Sequence, residues 1–203
     1  MRKFSLYRLR GLCAGAFALA LLLLPRRFGV DGFRLSAAAI LLAGAGLLRV
    51  SARREIGEHT RAGELAAPAL AVSGPYAKMR HPLYLANLFA GWGFVLLACL
   101  SVQNALILAL LWSAFCRRLG VLEDRWLEAK FGDEWREWAA RTPFWGVAPR
   151  KSAPSAPEKR MDENPEPSAP PRRSAWKAFR ADFWTWCWQI LLAALLVSRE
   201  LLP

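Results

Sequence analysis

The feature that most constrains this chain is the segregation of its charge into a few blocks, which leaves long uncharged apolar runs between them. Gly11 to Leu24 carries no charge, nor does Leu35 to Leu48 or Phe183 to Val197, and Leu83 to Cys116 is uncharged throughout. One helix crosses the hydrocarbon core of a bilayer with about 20 apolar residues. The longest run therefore reads as two spans, broken at the polar stretch Ser101 to Asn104, and the count comes to about five. The first, second and last runs are short and must recruit flanking residues such as Phe4, Leu6, Phe33 or Trp176. A soluble bundle of this composition, 55% hydrophobic, would leave most of its surface apolar, which solubility does not allow. The expected fold is all-α: a polytopic integral membrane protein of about five transmembrane helices.

The formal net charge of +12 sets orientation, because Lys and Arg in short loops are retained on the cytoplasmic side. Arg2, Lys3, Arg8 and Arg10 place the N-terminus inside, and the segment between the second and third spans carries Arg49, Arg53, Arg54, Arg61, Lys78 and Arg80. The turn between the third and fourth spans carries no basic residue. Arg26, Arg27 and Arg34 oppose this arrangement, but Arg117 to Asp182 holds 14 basic residues and outweighs them. The reading is a bacterial inner (cytoplasmic) membrane protein whose basic face meets anionic headgroups. No basic helix or aromatic sheet module stands apart from the spans, so nucleic acid is not an expected partner. No protein partner is evident.

The N-terminal "MRK" and apolar run resemble a secretion signal, yet Pro25-Arg26-Arg27 offers no small-residue cleavage site, so a retained anchor is expected. Cys13, Cys99, Cys116 and Cys187 lie in or beside spans without a C-x-x-C pair. They read as apolar filler, with neither a metal nor a disulfide framework expected. Residues 151–175 are rich in Pro, Ser and charge and read as a disordered tether. That divides the chain into a four-span unit, residues 1–150, and a C-terminal transmembrane helix, residues 176–203.

At the start of the third run stands "GPYAKMRHPLYLAN", residues 74–87. Pro82 suits the first position of a helix, which places His81 near its cap. Tyr84, Asn87 and Gly91 then recur on one face. A helix start offers N–H groups and positive potential, a seat for a carboxylate that Arg80 and Lys78 would reinforce. The alternative from residue types alone is an ordinary membrane boundary, with Arg80 and Lys78 at headgroups, His81 as a cap and Tyr84 in the aromatic belt.

A second cluster bears on that choice. Helical spacing continues beyond the fourth span through Leu119, Leu122, Trp126 and Leu127 and stops at Gly132. A tight outer turn makes the inner ends of the third and fourth spans neighbours, so His81, Tyr84, Glu123 and Asp124 converge. Next comes "DEWREWAARTPFW", residues 133–145, an interfacial helix in which Trp135 and Trp138 lie one turn apart and Arg141 is brought back over the mouth of the hairpin. An amphipathic interfacial helix with no further role is the alternative for this segment.

These three stretches together resemble the integral-membrane methyltransferases that include isoprenylcysteine carboxyl methyltransferases and phosphatidylethanolamine N-methyltransferases. The resemblance covers residues 59–149. It implies an S-adenosylmethionine-dependent enzyme without a Rossmann domain, and no G-x-G-x-x-G stands in this sequence. It further implies a lipid or lipid-like acceptor. By the same resemblance Arg80, His81 and Tyr84 match the family's Arg-His-Pro-x-Tyr element, Glu123 and Asp124 its acidic pair, and Arg141 its C-terminal basic residue. Cofactor contacts are thus expected from Arg80, His81, Tyr84, Asn87, Glu123 and Asp124, and catalytic roles from Arg141 and Glu123. Arg141 would orient an anionic acceptor by a bidentate contact. Gly91 and Gly93 are expected to leave room for an acceptor tail between helices.

Ala86 stands where the family often has Gly, Asp124 where it usually has Glu, and Trp135 and Trp138 where it often has Tyr. The acceptor therefore stays open. An NADPH-dependent reductase of the sterol-reductase type shares an "HP-x-Y" element but usually has more spans. The other alternative is a non-catalytic lipid-binding membrane protein.

Overall fold

The computed structural model describes residues 9–56, 67, 69–146 and 172–199, and these fold as helices and connecting turns. Helix α1 is Arg10–Leu23 and α2 is Gly32–Glu55, where the Asp31 side chain caps the start by accepting from the Arg34 backbone N–H at 2.7 Å. A short 3-10 turn, Gly74–Ala77, leads to α3, Pro82–Leu97, which begins at Pro82 with His81 at the N-cap position, as the sequence predicts. Ser101 caps α4, Val102–Phe131, by accepting from the Asn104 N–H. The helix ends where Gly132 takes φ 56°, a left-handed conformation that favours glycine. After it come α5, Asp133–Arg141, then α6, Ala175–Ala181, and α7, Phe183–Ser198.

Helix α3 sits at the centre. Ala38, Ala45 and Ala52 recur every seventh residue on α2 and are almost fully buried. Such small residues let backbones approach closely where van der Waals packing drives association in lipid. The outer surfaces of α1, α2, α4 and α7 expose large apolar side chains, among them Leu12, Ile40, Leu47, Leu110 and Ile190. That is the surface of an integral membrane protein. The turn after α1 is tied to the turn after α3, with the N–H groups of Arg27 and Phe28 both donating to the Cys99 carbonyl.

The all-α membrane class stands, and among the described residues α2 and α4 are singly long and apolar enough to cross, with α6 and α7 making a third if the bent pair counts as one. Helices α1 and α3 are apolar but have 14 and 16 residues, about 21 and 24 Å at 1.5 Å per residue against a hydrocarbon core of about 30 Å. The C-terminal helix is not one straight span, because α6 and α7 meet at 65°. The break falls at Asp182, whose carboxylate turns into the protein to reach cations on α2. Trp135 and Trp138 do not lie toward lipid; both are buried against Tyr76, Leu127 and Ala52. The amphipathic face of α5 has found a protein partner, and the Trp138 indole donates to the Tyr76 carbonyl at 3.2 Å.

Space beside Gly91 and Gly93 is also filled. A Cβ at Gly91 would lie 2.1 Å from the Trp112 indole nitrogen, and one at Gly93 would lie 3.1 Å from Leu42. Those glycines admit a tryptophan and a neighbouring helix. Of the expected tether, residues 151–171 lie outside the described residues, as do Arg2, Lys3 and Arg8.

Candidate functional site

The start of α3 and the lower half of α4 meet around His81, which is 3% exposed. The imidazole Nε2 lies 2.9 Å from Asp124 Oδ1, and Nδ1 lies 4.0 Å from Glu123 Oε2. Successive residues of a helix point about 100° apart, and the two carboxylates reach opposite nitrogens of the one imidazole. Asp124 turns inward to hold His81, while Glu123 is half-buried and lines a cavity.

Phe144 closes this cluster from the segment after α5. Its ring centroid is 4.5 Å from that of His81, and the Arg80 guanidinium lies 5.7 Å from it and 5.8 Å from the Trp135 ring. The Arg80 N–H donates to the Pro143 carbonyl at 2.9 Å, fixing the segment to the motif. Gly120 makes the approach possible: a Cβ there would stand 2.5 Å from Phe144 Cζ and 3.2 Å from His81 Cδ2. Arg80 Nη2 is 3.6 Å from Asp124 Oδ2, and its Nε is buried without a hydrogen-bond partner among the described residues. An orphaned buried guanidinium nitrogen beside a cavity suits an anionic ligand group.

The cavity has a volume of about 1040 Å³. Its polar end is lined by Arg80, His81, Tyr84, Asn87 and Glu123, together with Arg49 and Arg53 from α2. Away from that end the lining turns apolar, with Ala18 and Leu22 on α1, Phe94 on α3, and Leu192 and Leu195 on α7. Trp112 forms part of the wall, stacked on Phe17 at 4.4 Å between ring centroids. Burial raises the pKa of the Tyr76 phenol well above its ordinary value, and the charge of Glu123 adds to the shift. Tyr76 therefore faces the cavity as a neutral hydroxyl.

Residues 33–134 match the family model for phospholipid methyltransferase. The chain belongs to the phospholipid methyltransferase family. No curated protein and no solved structure matches the chain. The family match runs from α2 to the beginning of α5 and so contains Arg80, His81, Tyr84, Gly120, Glu123 and Asp124, but not Trp135, Pro143 or Phe144.

Within this phospholipid methyltransferase fold, Arg80, His81, Tyr84, Asn87 and Glu123 come together on one cavity, and Asp124 stands behind His81. Asn87 is already engaged: its side-chain oxygen accepts from Arg49 Nη1 at 2.7 Å and its backbone carbonyl accepts from the Trp112 indole at 2.9 Å. Arg141 is not brought to the cavity; it sits at the exposed end of α5. Sequence reasoning missed Asp182, whose Oδ2 accepts from Arg49 Nε at 2.8 Å and Arg53 Nε at 2.9 Å. The available signal was a lone acid at the head of an apolar run, with two arginines four residues apart ending another.

Proposed function

We propose that this protein transfers a methyl group from S-adenosylmethionine to a lipid or lipid-like acceptor at the cytoplasmic face of the membrane, in the manner of isoprenylcysteine carboxyl methyltransferases. The observation that carries the reading is one cavity with a zwitterion-lined end and an apolar arm. When bound, S-adenosylmethionine would supply a methyl carbon on a sulfonium, to which an acceptor lone pair would bond in line as the C–S bond breaks and S-adenosylhomocysteine leaves.

The residues suit that cofactor. Arg80, at the positive end of the α3 dipole, would hold a carboxylate, with its buried Nε the natural donor. Glu123, across His81, would hold the ammonium. Asp124 fixes the orientation of the His81 ring, and Tyr84, 5.7 Å from it between centroids, offers an aromatic edge to the sulfonium. Phe144 and Trp138 exclude water from this end. In-line displacement needs a nucleophile held near 3 Å in a dry site, so positioning and desolvation carry most of the chemistry. Arg141, at the exposed rim, would meet only the outer part of an anionic acceptor head.

Calorimetry on the purified full-length protein in detergent tests the reading. S-adenosylmethionine should bind and NADPH should not. Glu123→Gln should weaken binding by roughly 1.5 to 3 kcal/mol, the worth of a hydrogen bond to a charged group. Unchanged affinity in that variant would remove Glu123 from the site.

A further inference from the structure

The apolar arm is built largely by residues outside the family-matched stretch. One wall is α1, through Gly11, Gly15, Ala18 and Leu22; the facing wall is α7, through Gln189, Leu192 and Leu195. A Cβ added at Gly11 or Gly15 would meet nothing within 4 Å, so this side of α1 borders open space, unlike Gly91. Leu19 and Trp188 line the same cavity while being 55% and 68% exposed on the outer surface. They mark a lateral opening of the arm toward the bilayer.

Helix α7 is fixed at both ends. Asp182 binds Arg49 and Arg53 at the polar end, while at the other Arg199 donates to the carbonyls of Leu21 and Leu24, the free carbonyl end of α1. Along α7 the lining passes from Asp182 and Thr185 through Gln189 to Leu192 and Leu195. The change from polar to apolar thus follows the change from headgroup to hydrocarbon. From Asp182 to Leu195 the wall runs about 20 Å at 1.5 Å per residue. One leaflet, headgroup region and hydrocarbon together, is about 20 to 22 Å deep. A single lipid chain can therefore enter through the opening and lie along the arm without leaving its leaflet.

We propose that α7 is the acceptor-specificity wall of the enzyme, with Leu192 and Leu195 measuring the length of one hydrocarbon chain of a membrane lipid whose head reaches the His81 end. This rests on the methyltransferase reading for the identity of the acceptor but not for the existence of the chain site. Each buried CH₂ contributes about 0.8 kcal/mol when drawn from water, so affinity for a micelle-free monomer rises with chain length until the arm is full.

The test uses full-length protein transferred from detergent into amphipol, so that no micelles remain, and lysophosphatidylethanolamines of 8, 12 and 16 carbons as probes, each below its critical micelle concentration, with thermal stability as the readout. In the wild type, stabilisation should grow from 8 to 16 carbons at matched concentration. Leu192→Trp should abolish the gain from the longer chains and retain the 8-carbon effect. Ala18→Phe, on the facing wall, should do the same and serves where Leu192→Trp fails to fold. A merely structural role would lower the melting temperature without changing the dependence on chain length. Equal stabilisation by all three probes in the wild type, or an unchanged profile in both variants, overturns the proposal. The two readings fail separately: loss of S-adenosylmethionine binding with an intact chain-length profile sinks the methyltransferase assignment alone, and the reverse result sinks the specificity wall alone.

Discussion

Replacing Asp182 tests whether the C-terminal segment is part of the folded unit. Its carboxylate is 6% exposed and holds two guanidiniums, those of Arg49 and Arg53, whose side chains are 12% and 15% exposed. Asp182→Ala takes the carboxylate away from both guanidiniums and leaves Arg49 its bond to the Asn87 side chain. Removing one partner of a buried ion pair costs about 3 to 5 kcal/mol, because the remaining charge stays desolvated. Both arginines line the cavity and regain some water there, so the lower end, about 3 kcal/mol, is the better value. Asp182→Asn keeps the shape and one acceptor oxygen and should cost about 1.5 kcal/mol. At roughly 2 to 4 °C per kcal/mol for a chain of this size, the melting temperature in nanodiscs should fall by about 6 to 12 °C for Asp182→Ala and half that for Asp182→Asn. The triple variant Arg49→Met, Arg53→Met, Asp182→Leu removes the charges together and should recover most of the loss. A melting temperature unmoved by Asp182→Ala, or a triple variant less stable than the single one, refutes the reasoning.

Gly120→Ala should push Phe144 off His81 and destabilise by about 1 to 3 kcal/mol, the usual cost of overpacking; calorimetry should show weakened S-adenosylmethionine binding, and wild-type affinity would mean that the Phe144 ring is dispensable. Tyr76 gives a pH dependence: its phenol ionises near pH 10 when unfolded but holds its proton to higher pH when folded. Its contribution is complete below about pH 10 and is lost as pH rises toward the folded value, so melting temperature should fall less steeply above about pH 10 in Tyr76→Phe than in the wild type. For orientation, single cysteines at Gln103 and Ala129, both exposed, are placed in a background lacking the four native ones. An impermeant thiol reagent should label intact cells at Gln103 and not at Ala129, and the opposite pattern inverts the topology.

Much of the site was legible because it is local in sequence. Pro82 fixes the start of α3 by backbone geometry, and Gly132 ends α4 by its left-handed conformation, so the register of His81, Tyr84 and Glu123 follows from helical spacing. What periodicity does not carry is partner choice across long separations. Trp135 and Trp138 have the amphipathic spacing of an interfacial helix, and the same spacing serves equally to bury them against Tyr76 and Leu127. Gly91 reads as empty space until Trp112 is found in it. Asp182 reads as the edge of a span because its arginine partners lie 129 and 133 residues away. Glu123 and Asp124 read as a pair, and what spacing does not carry is the division between them: Asp124 takes Nε2 of His81, while Glu123, near Nδ1, also lines the cavity.

The distance along the chain between Asp182 and its arginines also orders the protein's biogenesis. Arg49 and Arg53 leave the ribosome some 130 residues before Asp182, and at about 5 to 20 residues per second that interval lasts roughly 7 to 26 s. Throughout it the two cations on α2 lack the Asp182 carboxylate, so this corner of the fold closes only after the C-terminal segment has been made. Docking of α7 is then the step that brings this carboxylate to α2, which makes the closing of the cavity's polar end a late event in the chain's synthesis.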